Sequence, residues 1–417
     1  MLPDKQPVIF TQLGARMHYA VPRILQQVDL LGHLYTDICA VKNWPALLHY
    51  FPSSILPKGL QRLKGRVPYG IPKTKITAFT AFGYKYAARR RKAHSREELT
   101  EIHLWAGDYF NKLILKKGLQ GGNLVYGFNS ASERILRSAR SQRIPGIVEQ
   151  TIAPFSIEQK LLETEVESFP DWGKKKNNKF AEEFISRERN EWSLAESIFA
   201  GSEFVKEAIT AAGGPAHKCK VIPYGVELSN FLTIKKKNSH TKKLHVLFIG
   251  EVGLRKGIPY LLAAMKALEH HPVSCRIVGS HQIPFDTIRK IVPANTELVG
   301  TVPRMSIFKE FQWADILCLP SLCEGSATVI YEALAAGLPV ITTPNSGSIV
   351  RDHQEGFIVP IRNSQAIADC IATLCFNHKL LKDMSHSARH RSSFGSLEAY
   401  GRRLVEGIND CLTSSDL

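Results

Sequence analysis

Two carboxylates eight residues apart, Glu324 and Glu332, stand within residues 317–343, LCLPSLCEGSATVIYEALAAGLPVITT. The apolar run Ile316–Leu319 reads as a short buried parallel strand. It stops at Pro320-Ser321. Residues 328–336 have helical period and end on Gly337-Leu338-Pro339, a helix stop with glycine past the end and proline beyond. Val340-Ile341-Thr342 restarts a strand. The unit is βαβ, so Glu324 falls in the loop at the strand's carboxyl edge and Glu332 about one turn into the helix. Open α/β sheets bind ligands in the crevice outside those edges. Both acids and the N–H groups of Gly325, Ser326 and Ala327 would face it. The plainer alternative is an ordinary crossover with two surface acids.

Cations follow the same logic. The strong strand Leu244–Ile249 leads into Gly250-Glu251-Val252-Gly253-Leu254-Arg255-Lys256-Gly257, then into an apolar helix over residues 260–268. Gly250 and Gly253 permit a close turn. Two cations at a helix start oppose its dipole, which makes a purely structural role for Arg255 and Lys256 unattractive. Beside free N–H groups they would hold a diphosphate and offset charge on a leaving group. At the other end of the chain, residues 8–11 read as a strand, 12–15 as a tight loop, 17–31 as a helix and 33–38 as a second strand. Gly14 would let the backbone approach a phosphate. Arg16 and His18 could contact an acceptor or a phosphate, or be a merely solvated helix start.

These groups need a scaffold. A chain of 417 residues suggests two or three domains. With 44% hydrophobic and 22% charged residues the profile is globular. No run approaches the roughly 20 apolar residues of a spanning helix, and the first residues do not read as a cleaved secretory signal. Eight scattered cysteines without a CxxC pair fit a reducing, cytoplasmic setting. The net charge of +16 is lopsided: residues 1–240 hold 36 basic and 22 acidic residues, and 241–417 hold 18 and 16. Residues 38–96 carry 13 basic residues and no acid, interleaved with aromatics and prolines. Within them, 76–92 could form a helix ending in Arg89-Arg90-Arg91-Lys92. That pattern suits an anionic membrane surface. Nucleic acid is the less favoured partner, and a solvated charged face is the plain alternative.

The alternation continues with a helix at 100–119, a strand Leu124–Phe128, a helix at 132–143, a strand at 147–149 and a long helix at 180–197. Residues 174–179 are a polar loop, and 234–243, IKKKNSHTKK, read as a linker. Strands at 275–279 and 297–303, a helix at 306–314, a last strand at 356–360 and helices at 364–377, 378–393 and 398–412 complete the chain. The expected fold is α/β, two Rossmann-like domains facing a cleft.

The 317–343 stretch resembles the signature of retaining glycosyltransferases of the GT-B fold, family 4 type (glycosyltransferases group 1). Glu324 and Glu332 match that family's Glu-x7-Glu pair within an EALAxGxPV context. The resemblance implies that Glu324 works near the donor sugar and Glu332 on the ribose hydroxyls, with Val302 in the segment contacting the base. It is strong over 198–360 and weak over 1–197. It implies an acceptor domain at 1–233, onto which helix 398–412 returns, and a nucleotide-sugar domain at 244–397. Two departures stand out. Glu251 replaces a frequent arginine, leaving Arg255 as the substitute. Gln150 or Thr151 stands where relatives carry a histidine near the reacting sugar, and Gln150 joins Arg16 and His18 on the acceptor side. The implied reaction moves a sugar, a hexose by expectation, from a nucleotide-diphosphate sugar to a polysaccharide, lipid-linked or small glycoside acceptor. No Asp-x-Asp occurs, so neither metal nor cofactor is expected. The location expected is cytoplasmic, peripheral on the inner face of the membrane. A non-catalytic binding protein, or a nucleotide-sugar epimerase or phosphorylase, remains the alternative.

Overall fold

The computed structural model describes residues 6–173, 177–234 and 243–414. Most of the expected linker and part of the polar loop at 174–179 lie outside them.

Two wholly parallel sheets organise the chain. The first contains β1 (Val8–Gln12), β2 (Leu31–Thr36), β3 (Ile76–Ala78), β4 (Leu124–Phe128), β5 (Gly146–Gln150), β6 (Ser197–Ala200) and β7 (Cys219–Val221). Its order is β3-β2-β1-β4-β5-β6-β7. The second contains β8 (Leu244–Ile249), β9 (Val273–Val278), β10 (Thr296–Gly300), β11 (Ile316–Leu319), β12 (Val340–Thr342) and β13 (Gly356–Ile358), in the order β10-β9-β8-β11-β12-β13. Helices cover both faces of each sheet, so β1, β4, β6 and β11 are apolar runs buried almost throughout rather than alternating ones. In both sheets the order reverses beside the first strand. That switch point opens a crevice between the loops after β1 and β4, and another between those after β8 and β11.

Four local expectations change. The helix expected at 17–31 runs only over Ala20–Gln27, because Met17, His18 and Tyr19 are all left-handed, with φ of 48°, 52° and 60°. Side chains rarely adopt that region, and Tyr19 pays for it by complete burial. The helix expected at 76–92 opens as edge strand β3 and becomes helical only at Thr80–Lys92. The helix expected at 100–119 is Arg96–Leu115, started by Ser95, whose hydroxyl accepts from the Glu98 N–H. Helix Phe155–Ser168, absent from the sequence reading, fills the interval after Pro154.

The final helix, Leu397–Ser414, lies against the first sheet's flank. Arg403 donates to the Pro223 carbonyl (2.9 Å) and Lys220 pairs with Asp410 (3.1 Å). Helix Phe155–Ser168 crosses towards the second sheet, where buried Glu165 accepts from Tyr260 Oη (2.8 Å) and from Arg362 Nε.

Candidate active site

The sites at the two switch points meet across one cleft. After β8 the chain makes a single 3-10 turn, Leu254–Lys256, closed by Gly257 at φ +70°. A β-carbon on Gly257 would overlap the Pro320 carbonyl oxygen. The glycine therefore lets this turn lie directly on the loop after β11, where the Leu322 N–H also donates to the Arg255 carbonyl (2.8 Å). Packed this way, Lys256 Nζ sits 2.6 Å from Glu324 Oε1. Arg255 Nη1 bonds the same oxygen and the Cys323 carbonyl. Two cations thus share one half-buried carboxylate. Burial tends to neutralise Arg255, but Glu324 together with Glu158, Cys323 and Glu251 outweighs it and raises its pKa, so it stays charged.

The rest of the loop is equally fixed. The Glu324 N–H donates to Asn345 O (3.0 Å) and Asn345 Nδ2 to Leu322 O (2.8 Å). Ser326 Oγ bonds Tyr331 Oη (2.6 Å). Of the three N–H groups expected to face a sugar, that of Ala327 is committed to Ser346 O (3.1 Å). Glu332 lies one turn into helix Thr328–Ala335 and faces Arg304 Nη2 at 3.5 Å. Burial pushes the Glu332 carboxyl above its ordinary value and Arg304 opposes it. Val302 is half-buried, two residues before Arg304.

The acceptor-side residues are placed less as expected. Gly14 is left-handed (φ +75°), but its N–H donates to Asp37 Oδ1 (3.0 Å) and so is already used. Arg16 lines the cleft, held by Tyr224 Oη (2.9 Å) and near Glu149 (3.8 Å). His18 is exposed and does not line the cleft cavity. Gln150 points into the core. Its amide donates to Glu188 (2.9 Å) and to Ile152 O (3.1 Å), and accepts from Trp192 Nε1 (3.0 Å). Its side chain is fully buried, so it has no hydrogen bond to offer an acceptor.

A cavity of about 1040 Å³ lies between these walls. Asn129, Thr151, Phe155 and Glu158 line its first-sheet side, and Leu254, Arg255 and Gln282 its second-sheet side. Glu158 pairs with Arg96 (2.6 Å), which also lies over the Phe155 ring. The loops touch where a β-carbon on Gly325 would overlap the Thr151 carbonyl, and where Ser202 Oγ donates to Gly325 O (2.6 Å). Sequence reading missed Glu188 and Glu191. Both are acids on a helix, Ala181–Leu194, whose apolar spacing gives no reason to bury them.

Burial pushes Glu188 up to about 7 and Glu191 up to about 8, against the hydrogen bonds each accepts. Folded-state values above the ordinary carboxyl range mean stability that is present at low pH and lost as pH rises through 7 to 8. Thermal stability should therefore fall from about pH 5, just above the ordinary carboxyl value, to about pH 8, by on the order of a few kcal/mol, and level off beyond it. The slope should flatten in the Glu188→Gln, Glu191→Gln double variant; an unchanged slope by calorimetry contradicts this assignment.

Residues 230–391 match the family described as glycosyl transferases group 1. The amylovoran biosynthesis glycosyltransferase AmsK of Erwinia amylovora is 27% identical over 187 residues, 42% of this chain and 46% of that protein. The D-inositol 3-phosphate glycosyltransferase of Paenarthrobacter aurescens is 26% identical over 233 residues, 48% of this chain and 56% of that one. The chain spans about half the length of the curated relatives it matches. Whole-chain similarity comes from structures. Anabaena HepE, solved with UDP and glucose, superposes with a TM-score of 0.60 at 15% identity, over 97% of this chain and 100% of that one. Sucrose-phosphate synthase of Thermosynechococcus elongatus gives 0.63 at 16% identity, over 98% and 100%. With its two parallel sheets, the chain has the GT-B fold.

Proposed function

From the premise that residues 230–391 belong to the glycosyl transferases group 1 family, we propose that the protein is a retaining glycosyltransferase using a nucleotide-diphosphate sugar. One observation carries this reading: Arg255 and Lys256 converge on Glu324 at the second switch point, with Glu332 one turn along the next helix. Arg255 and Lys256 hold the donor diphosphate, Glu324 with Gly325 and Ser326 positions the sugar, and Glu332 takes the ribose. Residues 244–397 form the donor domain. Residues 1–233 with the C-terminal helix form the acceptor domain, and 234–243 link the two. Two cations at the diphosphate supply the charge compensation that a metal supplies elsewhere, so transfer proceeds without a divalent ion.

The sugar is a hexose. UDP-glucose is the first donor to test, because HepE was solved with UDP and glucose. Nucleotide sugars are screened for a rise in thermal stability, since a ligand that binds only the folded state raises it. The stabilising donor is then assayed for transfer in a chelator. If no donor stabilises the chain or turns over, the reading fails and a binding protein remains. A phosphate requirement marks a phosphorylase, and turnover that epimerises the sugar without an acceptor marks an epimerase. Glu332→Ala loses the net equivalent of one hydrogen bond to a charged group, worth about 1.5–3 kcal/mol. Donor affinity by titration should fall by ~10–100-fold, with the fold unchanged.

The acceptor domain binds an anionic membrane surface. Trp44, Leu47, Tyr50, Phe51 and Ile55 are exposed, followed by exposed Lys58 and Arg62, in the segment that holds no acid. Apolar insertion and basic attraction then come from one exposed segment. No helix among the described residues is long and apolar enough to cross a membrane. Sedimentation with phosphatidylglycerol vesicles should be strong, and weaker at high salt and with the Trp44→Ala, Tyr50→Ala variant. Equal binding to phosphatidylcholine vesicles contradicts this.

A further inference from the structure

The acceptor-side wall is held by buried glutamate carboxyl groups rather than by packing alone. Glu188 and Glu191 lie three residues apart on helix Ala181–Leu194, hence on one face, and both are buried. Glu191 accepts the Ser130 and Ser132 N–H groups (2.7 and 2.8 Å), fixing the loop after β4. Glu188 reaches both loops. Its Oε1 accepts from Gln150 Nε2 (2.9 Å) and Asn129 Nδ2 (3.3 Å), and its Oε2 from the Phe155 N–H (2.9 Å). Asn129 Oδ1 in turn accepts the Thr151 N–H (3.3 Å) and hydroxyl (3.1 Å). The Thr151 carbonyl rests on Gly325, next to the carboxylate that Arg255 and Lys256 share. Hydrogen bonds therefore run from Glu188 to Thr151, whose carbonyl packs against the donor loop.

Burying a carboxylate is costly, and an apolar residue of similar volume would fill the same space at no such cost. What an apolar residue cannot do is accept three donors from two loops at once. We propose that Glu188 is a positioning residue: through Asn129 and Thr151 it sets the spacing between the acceptor wall and the donor loop at Gly325. This rests on the transferase reading for its consequence in turnover, though the coupling itself is a property of the folded chain. Glu188→Gln keeps the volume but must turn an N–H₂ or a single oxygen towards three donors, so it breaks the path without leaving a hole.

The full chain and its Glu188→Gln and Asn129→Ala variants are compared by amide hydrogen exchange in segments 147–158 and 320–328. Turnover of UDP-glucose and affinity for UDP are measured alongside. Both variants should exchange faster in 320–328, by about tenfold, while β8 and β9 stay protected. kcat should fall by about tenfold or more with UDP affinity within about twofold, because geometry rather than donor binding is lost. Unchanged exchange at 320–328 in both variants overturns the proposal. So does a general rise in exchange, or a kcat loss that merely tracks UDP affinity. If wild type turns over no nucleotide sugar, the transferase reading fails and the exchange measurement still decides the coupling. Should Glu188→Gln not fold, Asn129→Ala carries the same measurements, since Asn129 is only half-buried.

Discussion

Lys256→Ala should lower transfer by about 10²–10³-fold, the usual cost of removing a charge-stabilising group from where charge develops. Lys256 and Arg255 both pair with Glu324. A bound diphosphate brings two or more negative charges to the same two cations, and its leaving adds to that charge. With Lys256 gone, Arg255 must serve both Glu324 and the diphosphate. The rigid turn at Gly257 prevents another part of the loop from taking over, because it lies on Pro320. The fold should survive, since Lys256 sits in a turn outside the strands. Steady-state kinetics with saturating donor, alongside a melting curve, check the result. Activity within about threefold of wild type at unchanged stability would remove Lys256 from the site.

Gly325→Ala should be nearly as damaging by a different route. The atoms facing an added β-carbon are the backbone carbonyl of Thr151 and the Ile152 Cα. A flexible side chain could swing away; these cannot, so one loop must move by about an ångström, a displacement that can cost ~100-fold in rate. Donor affinity should change less than turnover, because the added β-carbon meets first-sheet backbone and not Arg255, Lys256 or Glu332. Gly59→Ala is the control: its β-carbon would meet nothing within 4 Å, and alanine suits its helix. Full activity in Gly325→Ala would show that the two loops are not held in contact during the reaction.

The donor half was legible because its signals are local. A buried parallel strand, a loop and a glycine-stopped helix can each be read from consecutive residues, so Glu324, Arg255 and Lys256 fall in the segments after strands, and Glu332 one turn into the next helix, without knowledge of the partner strands. Arg304 was not legible as a neighbour of Glu332, since that pairing joins the segments after β10 and β11. On the acceptor side the signals fail one by one. Edge strand β3 was hidden in an aromatic-rich run, and the helix starting at Ala20 was shortened by left-handed residues whose cost is met by burying Tyr19.

The sequence by itself determined the α/β alternation, the family resemblance of the second half and where the proposed donor groups fall along the chain, since each rests on spacing within one βαβ unit. Only the tertiary structure decided which side chains face the cleft. Gln150 turns inward because Trp192 and Glu188 satisfy its amide there, and the Gly14 N–H is spent on Asp37. It also decided that two buried acids on a helix face, invisible as a pattern, hold the cleft's wall. The physical reason is that a hydrogen bond between residues 38 or 59 positions apart leaves no period in the chain; it exists only once the first sheet has formed and helix Ala181–Leu194 has packed on it.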